Sequence, residues 1–123
     1  MGCTLGTIVN YLLSKYPELE FSVSAASRAP RGTEMHGEAY YFLSTEEFQQ
    51  KIKEDAFVEY EEVYEGCYYG TLKSEIERIE MKGNHVVFDV DVVGGCKLKS
   101  IFADNALAVF IAPPNVETLR KRL

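Results

Sequence analysis

Two arginines close together in a loop rich in glycine and proline are the first residues of this chain that could do chemistry. Arg28 and Arg31 follow a predicted strand, and α/β folds place ligand-binding groups beyond the carboxyl ends of strands. The forked guanidinium group donates paired, charge-assisted hydrogen bonds to phosphate oxygens. Tyr40 and Tyr69 could add hydroxyl donors without adding charge. The pattern predicts a phosphate site; the alternative is that the arginines only pair with the acidic insertion over 40–70.

A pair of carboxylates at the end of an apolar run forms a second candidate group. Asp89 and Asp91 are separated by one residue, so on a strand their side chains share a face. Burying an unpaired carboxylate is costly, and these side chains therefore need a cation or strong hydrogen-bond donors. Two interpretations stay open: an aspartate that holds Mg²⁺, or carboxylates that accept hydrogen bonds from a base or an arginine.

The cysteines and histidines predict no metal centre. Cys3, Cys67 and Cys96 are widely spaced and form no Cys-x-x-Cys motif. Two histidines are too few to complete a zinc set with them. We expect the three cysteines to be reduced and structural.

The amino-terminal residues depart from the pattern of a phosphate-cradling loop. Such a loop follows a strand and ends in Gly-Lys-Ser/Thr at the start of a helix, where the lysine neutralises the transferred phosphates. The run from Met1 to Thr7 contains glycines and threonines but no lysine, and the first lysine is Lys15. The sequence therefore predicts no complete cradle of this kind in residues 1–15.

The order of predicted elements indicates an α/β fold. Apolar residues recur at helical spacing from Thr7 to Tyr16. Residues 85–91 and 107–112 are nearly continuous apolar runs, typical of parallel strands that are buried on both faces. The other predicted elements are strands over 20–24, 40–43, 57–64 and 67–70, and helices that begin at Ser44, after Thr71, at Cys96 and after Asn115.

Residues 40–70 predict an arrangement different from the rest of the chain. Glu65 and Gly66 join two strand patterns as a hairpin, and this antiparallel region follows a long loop over 25–39. Loops of that length usually bind something. Residues 44–65 hold eight acids and two bases, a local charge of -6 that equals the net charge of the whole chain. We predict a parallel α/β core with a small antiparallel α+β insertion.

Composition sets limits on the class of protein. The chain has 123 residues, of which 46% are apolar and 26% charged, and is long enough for one core without disulfides or a structural metal. Its acidic charge argues against binding along a nucleic-acid backbone. No apolar run approaches the roughly 20 residues that span a bilayer, and no signal-peptide pattern occurs. We expect a cytoplasmic protein that binds neither nucleic acid nor membranes.

Eight short motifs occur along the chain: Phe21-Ser-Val-Ser24, Arg28-Ala-Pro-Arg31, His36-Gly37, Tyr40-Tyr-Phe42, Phe57-Val-Glu59, Tyr68-Tyr-Gly-Thr71, Asp89-Val-Asp91 and Ile111-Ala-Pro-Pro114. In their order and spacing they closely resemble guanylate kinase, and the resemblance is collinear from Gly2 to Leu123. The family transfers the terminal phosphoryl group of ATP to GMP with Mg²⁺. Its P-loop parallel-sheet core carries a mobile GMP-binding insertion and a lid.

The resemblance implies site residues and a domain organisation. Residues 1–123 would form a single partial domain, with 25–71 as the GMP-binding insertion. Asp89 would lie near the phosphates and Mg²⁺, and would act in catalysis together with two arginines of the GMP phosphate site. That phosphate site would comprise Arg28, Arg31, Tyr40 and Tyr69. The residues that read guanine or line its pocket would be Ser24, Glu59, Thr71 and Asp91.

The chain also departs from the family. The alignment places Leu5 at the P-loop lysine and Gly6 at the Mg²⁺-binding serine, and the first strand and the lid region have no counterpart in this sequence. By resemblance that first strand would lie between the strands over 86–90 and 107–112. Exposed sheet edges there would invite a homo-oligomer.

Two hypotheses of function follow from the resemblance and its departures. The first is a truncated guanylate kinase, whose family phosphorylates GMP to GDP. The second is a module that binds GMP or self-associates without catalysis. Mg²⁺ with ATP belongs to the intact family, and we assign no cofactor to this chain; GMP is the expected partner, whereas ATP binding is left open.

Overall fold

The computed structural model describes residues 3–112, with side chains from residue 6 onward. Within this range there are two sheets, and the strands of the four-stranded sheet come between the two strands of the other sheet along the chain. No helix in this range is long and apolar enough to cross a membrane. The elements are α1 (Cys3–Lys15), β1 (Leu19–Phe21), β2 (Ala25–Ala26), β3 (Tyr41–Phe42), α2 (Thr45–Lys53), β4 (Phe57–Tyr64), β5 (Cys67–Leu72), α3 (Lys73–Met81), β6 (His85–Val87), α4 (Val92–Phe102) and a 3₁₀ turn (Ala103–Asn105).

The first sheet is parallel, as the alternation of helices and strands predicts. β1 pairs with β6, and Leu19 lies opposite His85 while Phe21 lies opposite Val87. The pairing continues one residue further, where the Ser22 N–H donates to the Val87 carbonyl over 2.9 Å. α1 lies against β1 and α3 lies against β6. The fold is therefore of the α/β class.

The second sheet has the strand order β3-β2-β5-β4. β4 and β5 form the predicted antiparallel hairpin, and Gly66 takes a φ of 78° at its turn, a value that favours glycine. β2 also pairs with β5 in the antiparallel sense, whereas β2 and β3 are parallel, so the sheet of this insertion is mostly but not wholly antiparallel. The loop over 27–40 is long enough to bring the chain back in the same direction, which a short hairpin turn cannot do.

α2 covers one face of the second sheet. Its predicted start is confirmed: the Ser44 hydroxyl accepts a hydrogen bond from the Glu47 N–H, and the Glu47 carboxylate accepts one from the Ser44 N–H. The Phe48 ring is fully buried and stacks on the rings of Phe57 and Tyr68, with centroids 4.4 and 5.2 Å away. This aromatic stack is the centre of the core that holds the hairpin.

The start of α3 differs from the prediction. Thr71 is not an N-cap; it belongs to β5 and is fully buried, while Leu72 takes the N-cap position without a side-chain hydrogen bond. The ladder with β4 runs to Leu72, so the hairpin rather than the threonine hydroxyl sets the boundary. The predicted helix end is confirmed by Gly83, which has a φ of 77° just after α3.

Two predicted strands are shorter or missing in the described residues. β6 covers only 85–87, pairs only with β1 within the described range and is not buried on both faces. Residues 107–112 form no strand, and the side chains of Leu107 and Phe110 are 91% and 73% exposed. A strand needs a neighbour for its backbone groups, and no described strand pairs with this segment. The predicted helix after Asn115 lies outside the described residues.

α4 is longer than the predicted helix that begins at Cys96. The side chain of Asp91 accepts a hydrogen bond from the Gly94 N–H over 2.7 Å and so caps the helix one turn earlier. The capped turn contains Gly94 and Gly95, whose low helix propensity conceals it in the sequence.

Candidate functional site

β5 carries residues of both parts of the candidate site on one face. Tyr69 belongs to the part predicted to bind phosphate, the phosphate half, and Thr71 to the part predicted to bind the base, the base half. Tyr69 and Thr71 are two residues apart, so their side chains point to the same side of the strand. The backbone advances only about 7 Å between them at the usual rise per residue. Glu59 of β4 lies opposite Thr71 in the register. Residues predicted to bind the phosphate and residues predicted to bind the base therefore lie close together on one face of the hairpin.

The phosphate half is built around Arg28. Its Nε donates to the Tyr69 hydroxyl over 2.9 Å, and its guanidinium carbon lies 5.0 Å from the centre of the Tyr40 ring and 5.7 Å from that of Phe42. Tyr40 and Tyr69 meet edge to face with centroids 5.7 Å apart. The structure thus brings together three of the four predicted phosphate residues, and adds Phe42 as a second aromatic face for the cation.

The hydroxyl groups of Tyr69 and Tyr40 lie in different surroundings. The Tyr69 oxygen accepts the Arg28 N–H, so its own proton can be donated to a ligand. Burial raises the pKa of Tyr40 above its usual value. The Tyr40 hydroxyl therefore remains protonated near neutral pH and suits an anionic oxygen.

Arg31 and a carboxylate that the sequence analysis did not single out complete this half. The Arg31 side chain is exposed and makes no hydrogen bond within the described residues, whereas its backbone N–H donates to Glu34 over 2.8 Å. Glu34 also forms an ion pair with Arg28. Arg28 therefore does pair with an acid, but this acid belongs to its own loop and not to the acidic stretch over 44–65.

The base half is a hydroxyl and two carboxylates. The buried Thr71 hydroxyl donates to Glu59 over 2.9 Å. Burial raises the pKa of Glu59; the Thr71 hydrogen bond and the charge of Lys97 oppose that change, while the charge of Asp91 adds to it. Asp91 is exposed, and one of its oxygens is used by the Gly94 N–H. Two acidic groups with oxygens to spare therefore lie near each other.

An open cleft separates the second sheet from α4. It has a volume of about 630 Å³, and Glu59 and Tyr60 line it from β4 while Cys96 and Lys97 line it from α4. The Lys97 ammonium donates to the Tyr60 carbonyl over 2.9 Å and so links the two walls. A volume of this order is typical of small-molecule sites. Glu59 is the predicted site residue that faces this space.

Ser24 and Asp89 each follow a strand of the first sheet. Ser24 lies between β1 and β2, is half-buried, and its carbonyl accepts the Tyr41 N–H over 2.9 Å. Asp89 follows β6; burial raises its pKa, and its Oδ1 is buried without a hydrogen-bond partner in the described part of the chain. An oxygen in that state is stabilised by a cation or a new donor.

Asp89 fits one position in the ligand sphere of Mg²⁺. That ion is usually held by one or two carboxylates, with water and substrate phosphates as the other ligands. Among the described residues no three His, Cys, Asp or Glu side chains converge as a metal site of their own. Asp89 therefore suits a shared site in which a nucleotide supplies further oxygens.

Comparisons with known proteins agree with this architecture. A family model described as guanylate kinase matches residues 2–123. The guanylate kinase of Bacteroides thetaiotaomicron is 53% identical over 99% of this chain and 60% of its own length. That of Porphyromonas gingivalis is 54% identical over 99% of this chain and 65% of its own length.

A solved structure shows the same fold. The crystal structure of guanylate kinase from Anaplasma phagocytophilum matches with a TM-score of 0.82 and 32% identity, over 95% of this chain and 60% of that one. The architecture is that of a P-loop-type kinase. The chain belongs to the guanylate kinase family, which confirms the resemblance. It spans about 60% of the length of the Bacteroides relative.

Proposed function

We propose that residues 25–71 form a GMP-binding insertion, and that the protein acts in the phosphorylation of GMP to GDP by ATP. The observation that carries the proposal is the pairing of two chemically different clusters on one face of β5. A cationic and hydroxyl-bearing cluster surrounds Tyr69, and a carboxylate cluster surrounds Thr71. A nucleoside monophosphate has the complementary order, an anion at one end and a base at the other.

The phosphate of GMP would be bound by the cluster around Tyr69. Arg28 and Arg31 would contribute positive charge, and the hydroxyls of Tyr40 and Tyr69 would donate hydrogen bonds. Hydrogen bonds that involve a charged group are about twice as strong as neutral ones, so this cluster favours a nucleotide over a nucleoside.

Guanine would be selected by the cluster around Thr71. Guanine offers N1–H and a 2-amino group as donors, and Glu59 and Asp91 are the acceptors that match them. Ser24 and Thr71 would line the same pocket. Adenine presents an unprotonated N1 and would leave a desolvated carboxylate without a donor, and sites of this kind reject the wrong ligand strongly.

The reaction needs positioning and charge stabilisation more than covalent chemistry. Arg28 and Arg31 would hold the acceptor phosphate and offset charge that develops on the transferred group. Asp89 would be a ligand of Mg²⁺ bound with ATP, and that ion would supply further charge neutralisation. The setting we propose is purine nucleotide metabolism in the cytoplasm.

A second candidate function is GMP binding without phosphoryl transfer. Leu5 stands at the position of the P-loop lysine in the alignment, and a leucine cannot neutralise a transferring phosphate. Removal of one preorganised donor of this kind costs roughly a hundredfold to a thousandfold in rate. Catalysis and GMP recognition can therefore be tested separately.

Calorimetry with GMP, AMP and guanosine tests the recognition. We expect GMP to bind more tightly than both, since AMP has the wrong base and guanosine lacks the phosphate. Glu59→Ala and Arg31→Ala are each expected to weaken GMP binding by at least about 1 kcal/mol. Glu77→Ala on the exposed side of α3 is the control and should leave binding unchanged. Equal binding of all three ligands would refute the proposal.

A coupled assay for ADP formation with GMP and ATP tests the reaction. Turnover by the purified chain that is lost in Asp89→Asn supports the kinase. GMP binding without turnover supports the second candidate, and the absence of GMP binding refutes both.

We also propose that the chain associates with itself through its exposed apolar segment over 107–112. Val109 and Phe110 are 69% and 73% exposed there, and β6 has one edge without a described partner. Unpaired strand edges tend to pair with further chains, and exposed apolar segments favour association. Sedimentation should show a concentration-dependent dimer that Phe110→Lys abolishes, and a monomer at all concentrations would refute this part.

A further inference from the structure

Glu34 closes a tight turn within the arginine loop. The Glu34 N–H donates to the Arg31 carbonyl over 3.0 Å, and the Arg31 N–H donates back to the Glu34 carboxylate over 2.8 Å. Gly32 takes a φ of 56° inside this turn, in the left-handed region where other residues are strained. Glu34 therefore stabilises the turn twice, through its backbone N–H and through its carboxylate.

The same carboxylate grips the side chain of Arg28. Oε1 of Glu34 accepts from Nη1 over 2.8 Å, and Oε2 accepts from Nη2 over 3.0 Å. The side chains of Arg28 and Glu34 are only 12% and 28% exposed. The hydrogen bonds from Arg28 and from the Arg31 backbone lower the pKa of Glu34 to about 2, so it stays ionised at neutral pH.

Arg28 has further N–H groups that do not bond to Glu34. Arg28 gives its Nε hydrogen to Tyr69 and one Nη1 hydrogen to the Ala29 carbonyl. With the two bonds to Glu34, four of its five N–H groups are used within the described residues, and the fifth is on Nη2. The Tyr69 proton is available beside it. A phosphate can therefore approach Arg28 and Tyr69 while the pair with Glu34 stays intact.

We propose that Glu34 is a positioning residue for the nucleotide phosphate, an inference that rests on the proposed function. Its Oε1 bridges the Arg28 side chain and the Arg31 backbone, so the Arg28 guanidinium is fixed relative to the backbone that carries Arg31. Competition with phosphate for Arg28 would not account for the hydrogen bond from the Arg31 N–H to the same carboxylate. Glu34 acts through these two arginines and does not itself touch the ligand.

The test compares Glu34→Gln with the matched control Glu38→Gln. Glu38 lies in the same loop, is exposed and makes no side-chain hydrogen bond within the described residues. Calorimetry on the purified chain would measure GMP and guanosine. We expect Glu34→Gln to weaken GMP binding about tenfold, because Gln cannot accept all three bonds. Guanosine binding should not change, and Glu38→Gln should bind both ligands like the wild type.

Each other result overturns the inference. Tighter GMP binding by Glu34→Gln would make Glu34 a competitor of phosphate, and an equal loss for both ligands would make its role only structural. If the wild type binds GMP and Glu34→Gln binds it equally well, this inference is refuted while the proposed function stands. A wild-type chain that binds no GMP would refute the proposed function and this inference with it.

A second variant protects the test against misfolding. Glu34→Asp keeps the charge but is shorter by one methylene group, so it cannot reach both Arg28 nitrogens and the Arg31 N–H. We expect it to fold, to show a thermal unfolding midpoint near that of the wild type, and to lose GMP affinity without losing guanosine affinity. Full GMP affinity in a folded Glu34→Asp would contradict the geometric role.

Discussion

Replacing Glu75 with alanine should destabilise the chain more than any other single carboxylate replacement that we propose. Glu75 lies near the start of α3 and is 3% exposed. Its carboxylate accepts from the Val23 N–H over 2.9 Å, from the Tyr41 hydroxyl over 3.0 Å and from the Arg78 Nε over 3.0 Å. These partners belong to the crossing between the sheets, to β3 and to α3. One side chain thus ties three parts of the fold together.

The magnitude follows from what the alanine would leave behind. The N–H of the buried Val23 would lose its acceptor, which costs about 1–3 kcal/mol. Removing one partner of a buried ion pair costs about 3–5 kcal/mol. Arg78 is 38% exposed and keeps an ion pair with Glu20, which places the expected loss at the lower end. We expect about 3 kcal/mol, a large share of the roughly 5–15 kcal/mol that stabilises a typical domain.

Urea unfolding followed by circular dichroism measures this loss. With a typical slope of about 1–3 kcal/mol per molar urea, the midpoint should fall by at least about 1 M. Glu77→Ala is the matched control on the exposed side of α3, and it should change stability by less than about 0.5 kcal/mol. A loss below about 1 kcal/mol for Glu75→Ala would refute the reasoning.

The pH dependence gives an independent check on the same prediction. Burial alone would raise the pKa of Glu75, but hydrogen bonds from Arg78, the Val23 N–H and Tyr41 outweigh it and lower the pKa below 4.5. A lowered pKa stabilises the fold above the unfolded value, and that stability is lost as the pH falls through the folded value. The difference between wild type and Glu75→Ala should therefore shrink below pH 4.5. A constant difference would contradict the assignment.

Three further predictions concern the hairpin and its core. Gly70→Ala would place a Cβ 2.8 Å from Cδ1 of Phe57 and 3.1 Å from the Glu59 carbonyl; thermal unfolding should show a loss of about 1–3 kcal/mol, and an unchanged midpoint would contradict it. Phe48→Ala removes the fully buried ring of the aromatic stack, and urea unfolding should show a loss of about 3–5 kcal/mol, which a loss under about 1 would refute. GMP binding should weaken as the pH falls through the raised pKa of Glu59, because the protonated carboxyl accepts poorly; calorimetry should show no such weakening in Glu59→Gln.

Features that depend on neighbouring residues were predictable from the sequence. The Ser44 and Glu47 capping box, the hairpin at Gly66 and the helix end at Gly83 each follow from a few adjacent residues. The arginine and tyrosine cluster was also found, because guanidinium and hydroxyl groups near a strand end point to an anion. In each of these cases the chemistry of a few adjacent residues is sufficient to indicate the local structure or the kind of site.

Features that depend on distant partners were not predictable in this way. Thr71 looks like a helix cap, but a ladder with β4 places it in a strand. The parallel pairing of β2 with β3 depends on the path of a long loop that leaves no periodic signal. Glu34 is one acid among many, and only the turn at Gly32 brings it back to the arginines. Its spacing of three residues from Arg31 was the available signal.

The placement of Tyr69 and Thr71 on alternate positions of β5 couples ligand recognition to strand register. A slip of one residue against β4 would turn both side chains to the opposite face and present Tyr68 and Gly70 in their place. Anion affinity and base selectivity would then vanish together. A ligand that engages both positions must, by mass action, hold the hairpin in its native alignment. Protection of the β5 amides from hydrogen exchange would consequently report nucleotide occupancy.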